Sequence, residues 1–200
     1  DSGGERGVGA GEPDGTTVQV DGERGAERKV RTEMPNGQPQ RESCYEGESG
    51  AERRVLVVDP DGEEWHYEGE KNAERIVRVV HANGAVMHFE GERGAERRVR
   101  EVYPCGAVRH FEGEKGAERK VRIEFPCGAV QHYEGEHNAE YVVRRVHPNG
   151  DVEHFEGENG AERKVRVVFP RGQVQHYEGE AFTERVGRAI FSDGTVVYYE

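Results

Sequence analysis

The sequence predicts an all-β fold: an elongated repeat array of antiparallel β-hairpins, a meander with no helices. Three observations carry that expectation. Aromatic residues recur every 22 positions before Glu-Gly, at Tyr45, Tyr67, Phe89, Phe111, Tyr133, Phe155 and Tyr177, and Tyr199-Glu200 opens a further copy. Glycines Gly62, Gly84, Gly106, Gly128, Gly150, Gly172 and Gly194 keep the same interval. Composition argues against helices, with a single leucine, Leu56, and two methionines beside 28 glycines among 200 residues. One module repeated at fixed period is the mark of a stacked repeat architecture.

The copies divide the chain into three stretches. Residues 45–200 read as seven regular 22-residue repeats plus the start of another. Residues 20–44 read as a divergent repeat, with GERGAERKV at Gly22–Val30 and three residues inserted before Tyr45. Residues 1–19, rich in glycine, read as a frayed or partial N-terminal repeat. In the last repeat Phe182 replaces the usual Gly or Asn and Gly187 the usual valine, as in a cap.

One repeat, Phe111 to His132, reads FEGEKGAERKVRIEFPCGAVQH. Its Pro126-Cys127-Gly128 suits a three-residue hairpin loop, proline supplying φ for a type I turn and glycine the left-handed residue of the bulge that follows. Asn-Gly or Asp-Gly at Asn83, Asn149, Asp61 and Asp193 could instead build a two-residue type I′ loop. The longer loop sets Val121 opposite Tyr133 and Lys120 opposite Glu134. Phe125, Ile123, Val121 and Tyr133 then share one face, and Arg122, His132, Lys120 and Glu134 the other. A single-coil solenoid is the rival architecture, but it would stack Arg78, Arg100, Arg122, Arg144 and Arg166 in one like-charge row. The meander interleaves basic RKVR strands with acidic HYEGE strands and is preferred. Ordering 22 residues costs about 20–40 kcal/mol. The two valines and two aromatics of a repeat return only about 1.5–3 kcal/mol each. No repeat folds alone; neighbours must complete it.

These residues resemble MORN-type repeats, hairpin modules with aromatic-x-Gly in one strand and aromatic-x-x-Gly at the turn. Tyr133-Glu134-Gly135-Glu136 and Phe125-Pro126-Cys127-Gly128 are the matching elements, recurring through nearly the whole chain. The period here is 22 where that family's is 23, and Glu-Arg-Lys-Val stands where it opens a strand with Gly-x-Gly. The resemblance implies a β-meander that serves as scaffold, oligomerisation or adaptor module, without catalytic activity of its own.

The side-chain chemistry points the same way. Net charge is −12 and the isoelectric point near 5.3, which disfavours nucleic acid and anionic lipid as partners. The arginine stripes are read as neutralised, each with a glutamate beside it. No basic-then-apolar leader opens the sequence, and no stretch approaches the roughly 20 apolar residues of a transmembrane helix. Only four serines occur, Ser2, Ser43, Ser49 and Ser192, none in a nucleophile elbow. No P-loop or dinucleotide fingerprint is present. Catalytic and cofactor-binding residues are therefore expected to be none.

Histidine precedes the aromatic six times, at His66, His88, His110, His132, His154 and His176. In a meander these lie about 9.6 Å apart with an arginine such as Arg122 between, too far for shared zinc ligation. The structural reading is preferred. A divalent-cation or pH-responsive module, built on this row and on Glu134 and Glu136, is the alternative. Cys105 and Cys127 occupy equivalent turns beyond disulfide reach, and with Cys44 make an odd count. Free exposed thiols favour a reducing, cytoplasmic compartment. The expected function is non-enzymatic: an acidic ribbon for protein–protein contact or self-association into a homo-oligomer, filament or larger assembly. Contact specificity is expected in the variable strand column Trp65, Met87, Arg109, Gln131, Glu153, Gln175 and Val197.

Overall fold

The structure, a computed structural model, describes residues 17–21, 28–33, 41–48 and 51–200. Residues 1–16, most of the first expected stretch, lie outside these, as do 22–27 and 34–40, which belong to the expected divergent repeat, and 49–50. Among the described residues every element is a strand: β1 (Thr17–Asp21), β2 (Arg28–Glu33), β3 (Glu42–Glu46), β4 (Arg53–Val58), β5 (Glu64–Glu68), β6 (Arg75–Val80), β7 (Val86–Glu90), β8 (Arg97–Val102), β9 (Val108–Glu112), β10 (Arg119–Glu124), β11 (Val130–Glu134), β12 (Tyr141–Val146), β13 (Val152–Glu156), β14 (Arg163–Val168), β15 (Val174–Glu178), β16 (Arg185–Ile190) and β17 (Val196–Tyr198). The chain forms two compact units, Asp1–Arg98 and Val99–Glu200. In the N-terminal unit consecutive strands from β1 to β7 pair antiparallel. In the C-terminal unit the same holds from β8 to β17. Each unit is thus a hairpin meander, and the single-coil alternative is excluded.

Two turns alternate along each meander. The short one is the predicted three-residue loop: Phe125 N–H donates to Ala129 O and Gly128 N–H to Phe125 O, both at 2.8 Å. Gly128 holds φ at 86°, which a side chain rarely adopts. Asn-Gly repeats build the same loop. His81 N–H donates to Ala85 O and Gly84 N–H to His81 O, and Asn83 is not among the residues of positive φ that a type I′ turn requires. Instead Asn83 Oδ1 accepts the Ala85 N–H at 2.9 Å, a local side-chain brace that Asn149 and Asp193 repeat.

The long turn spans six residues, as at 135–140. Gly135 sits at φ 107°, and a Cβ there would lie 2.5 Å from the Ala139 carbonyl oxygen; glycine is obligatory. Ala139 N–H donates to Glu136 O at 2.9 Å, closing a turn whose third residue, Asn138, has φ 64°. Asn72 and Phe182 take the same left-handed conformation in their turns, and Gly94, Gly116 and Gly160 take it without a side chain to strain.

The strands flanking the long turn carry a β-bulge that the sequence reading missed. Lys120 lies opposite Phe111 and Arg122 opposite His110, with Val121 extra between them. The shift recurs at Val55, Val77, Val143, Val165 and Gly187. It corrects the expected faces. Across the short turn the predicted register holds, with Arg122 opposite His132, but the ladder stops there. Val121 is not paired with Tyr133, nor Lys120 with Glu134. The bulge instead turns position 120 to the aromatic face, where Lys120 Nζ lies 3.9 Å from the Tyr133 ring centroid, Lys164 Nζ 4.4 Å from Tyr177 and Arg54 Cζ 4.7 Å from Tyr67. The bulged valine goes to the other face; Val165 lines a shallow cavity with His176 and Arg188.

The core sits on the aromatic face. Val57, Val79, Ile123, Val167 and Ala189, at equivalent positions of five repeats, are buried. Their cross-strand partners come from the variable column, as in Val57 opposite Trp65 and Val167 opposite Gln175.

Candidate interaction surface

On the face opposite the aromatics, one row of the C-terminal unit alternates arginine and histidine without a break. Arg100, His110, Arg122, His132, Arg144, His154, Arg166, His176 and Arg188 follow one another from strand to strand. The predicted arginine neighbour is therefore present on both sides of His110, His132, His154 and His176. Burial, and then the guanidiniums of Arg144 and Arg122, hold the His132 imidazole below its ordinary value. His154, between Arg166 and Arg144, and His176, between Arg188 and Arg166, are lowered for the same reasons. At these three positions burial and the flanking cations both favour the neutral imidazole. In the N-terminal unit the row runs Cys44, Leu56, His66, Arg78, His88, and Cys44 is buried, unlike the exposed Cys105 and Cys127.

Among the described residues no three His, Cys, Asp or Glu side chains are placed to hold a metal ion. His66 Nε2 lies 3.1 Å from Glu64 Oε2, and His110 Nε2 lies 3.0 Å from Glu124 Oε1. Glu134, opposite Tyr141, and Glu136, in the long turn, are both exposed. The remaining row histidine, His88, lies opposite Arg78.

Acidic and basic strands do neutralise each other, but across the long turn. Arg53 reaches Glu46 at 2.8 Å, Arg75 Glu68 at 3.7 Å, Arg97 Glu90 and Arg119 Glu112 at 3.4 Å, and Arg163 Glu156 at 3.1 Å. The expectation that every arginine has a glutamate beside it fails in the central row. Arg122 has one, Glu124 at 3.1 Å. Arg144, Arg166 and Arg188 are exposed and have no ion-pair partner among the described residues. The register explains this: valine or isoleucine (Val146, Val168, Ile190) stands where Glu124 stands in its own repeat.

The variable column lies on the aromatic face and is largely engaged with neighbouring strands. Trp65 stands between Val57 and Val79, and Met87 opposite Val79. Arg109 reaches Glu101 at 3.8 Å and lies over the Tyr103 ring. The Gln131 amide donates to the Tyr133 hydroxyl at 2.6 Å and accepts from Arg145 Nη2 at 2.7 Å. Glu153 gathers Arg145 at 3.2 Å, His147 at 3.1 Å and Lys164 at 3.6 Å. Tyr177 donates to Gln175 at 3.0 Å. Arg109 and Val197 are the exposed members.

A further recurring role belongs to the glutamate of the Ala-Glu pair, which is Thr183-Glu184 in the last repeat. Glu140 Oε1 accepts the backbone N–H of Lys120, 20 residues earlier, at 3.0 Å; Glu74 serves Arg54, Glu162 Val142 and Glu184 Lys164 in the same way. The bulge ends the ladder at position 122, so the N–H of position 120 needs another acceptor. Burial alone would raise the Glu140 pKa, but the Lys120 N–H and ammonium hold it below the usual carboxylate range. Repetition of Ala-Glu every 22 residues was the available signal, but its partner is out of local reach.

No protein-family model and no curated protein sequence matches the chain. Among the described residues no helix is long and apolar enough to cross a membrane.

Proposed function

We propose that the chain is a non-enzymatic assembly module, a periodic acidic β-repeat that joins protein partners or further copies of itself. The observation that carries this reading is the repetition of surface rows in step with the backbone. Glu136, Glu158 and Glu180 stand exposed in successive long turns, and Arg144, Arg166 and Arg188 in alternate strands. A surface that presents the same group at fixed intervals binds through many weak contacts, so repetition in the partner raises avidity without any new kind of contact. The resemblance to MORN-type hairpin repeats supports the same class. Sedimentation velocity across a wide concentration range tests it: association into larger species, or a stoichiometric complex with a purified partner, is the expected result. A chain that stays monomeric and takes up zinc or calcium in calorimetric titration would support the cation-binding alternative instead. A pH-responsive component has an observation of its own, the histidines seated between arginines.

A further inference from the structure

The central arginines of the C-terminal unit lack counter-ions in an otherwise acidic chain. Arg144, Arg166 and Arg188 are exposed, and no carboxylate among the described residues pairs with them. Their row neighbours His154 and His176 are flanked by arginine on both sides. One margin of the same unit carries the converse surplus. Glu136, Glu158 and Glu180, the first glutamates of successive long turns, are exposed; their backbone carbonyls accept the turn-closing N–H groups, and their side chains have no cationic partner among the described residues. Within one chain the two rows do not pair with each other. From Arg166 to the long turn before it the strand runs back through Arg163, three residues or about 10 Å away, and Arg163 is itself occupied by Glu156.

We propose that a second copy of this chain supplies the missing counter-ions, its long-turn glutamates Glu136, Glu158 and Glu180 seating on the row of Arg144, Arg166 and Arg188. This rests on the self-association branch of the assembly reading and names its contact. Charge and period agree. Both rows repeat once per two strands, about 9.6 Å, and both belong to the same meander, so they turn by the same twist per hairpin. A contact made at one position is therefore in step at the next two. Under twofold symmetry each copy offers both rows, which gives six pairs, each arginine row meeting the other copy's glutamates. Single exposed ion pairs are weak and screened by salt; six held in register act as one multivalent contact.

Paired charge reversal tests it on the full chain. One variant carries R144E, R166E and R188E, the other E136R, E158R and E180R, and both remain net acidic, so bulk attraction does not drive them together. Sedimentation velocity at low salt is expected to show a wild-type dimer that dissociates on raising salt, each variant monomeric alone, and a 1:1 heterodimer on mixing. Restored association on mixing also shows that both variants fold. A mixture that stays monomeric while wild type dimerises, or a variant that self-associates as well as wild type, overturns this pairing and leaves self-association standing. Wild type that is monomeric at every concentration overturns both.

Discussion

The two units run on one backbone frame with different fillings. On the aromatic face of the N-terminal unit the inner row reads Ser43, Val57, Trp65, Val79, Met87. In the C-terminal unit it reads Glu101, Arg109, Ile123, Gln131, Arg145, Glu153 and then Val167, Gln175 and Ala189. Apolar packing is exchanged for ion pairs, Arg109 with Glu101 and Arg145 with Glu153. The opposite face changes in parallel, Leu56 standing where the C-terminal unit has Arg122, Arg144 and Arg166. Both fillings keep the same turns and the same bulge. The frame is therefore set by glycines, turn hydrogen bonds and the Ala-Glu brace, and the rows are free to vary as long as cross-strand partners vary together.

The largest effect is expected where the units agree. Gly69→Ala and Gly135→Ala each place a Cβ within 2.6 and 2.5 Å of a carbonyl oxygen at positive φ. Each should lower stability by on the order of 3 kcal/mol, equally in the two units; urea denaturation measures it, and a harmless substitution in either would break the idea of a common frame. Next come the fillings. Trp65→Ala removes the largest side chain between two buried valines and should cost about 2–3 kcal/mol, whereas Gln175→Ala in the same column should cost less than about 1 kcal/mol. Hydrogen exchange in β4–β6 and in β14–β16 resolves the two, and equal losses would contradict a variable column that is apolar in the first unit and polar in the second.

Glu153→Gln should cost about 1–2 kcal/mol, since it weakens contacts to Arg145, His147 and Lys164 at a largely shielded carboxylate. A double-mutant cycle with Arg145→Gln should show coupling; strict additivity would mean the cluster contributes nothing as a unit. The smallest effect is the pH response of the C-terminal row. His132, His154 and His176 titrate below their ordinary value near 6.5 because burial and flanking arginines disfavour the cation. The unfolded chain then binds protons more readily than the folded one. The stability at stake is fully present above about pH 6.5 and is lost as pH falls through that value toward the lower native ones. Arg166→Gln should raise the pKa of both His154 and His176 in NMR titration, and unchanged values would remove the arginines as a cause.

Much of the frame was legible in the residues. Pro126-Cys127-Gly128 announced a three-residue loop, and counting outward from it places Arg122 opposite His132, as observed. The bulge was not legible. It falls at Val121, in a run where strict alternation looks uninterrupted, and only the mismatch between a strand's two ladders reveals it. One missed residue moved Lys120 onto the tyrosine face and Val121 off it. The candidate surface was half legible: the arginine and histidine columns were plain, but pairing by nearness in sequence credited each arginine with a glutamate that only some of them reach.

By itself, the order of residues determined the period, the two turns and the antiparallel meander, because glycine, proline and asparagine act on backbone dihedrals over four or five positions. Tertiary structure alone decided which face each side chain joins, which arginines keep free charges, and that Glu140 serves an N–H 20 residues away. Those outcomes depend on how neighbouring strands slide past one another, and that register is a property of two segments in contact.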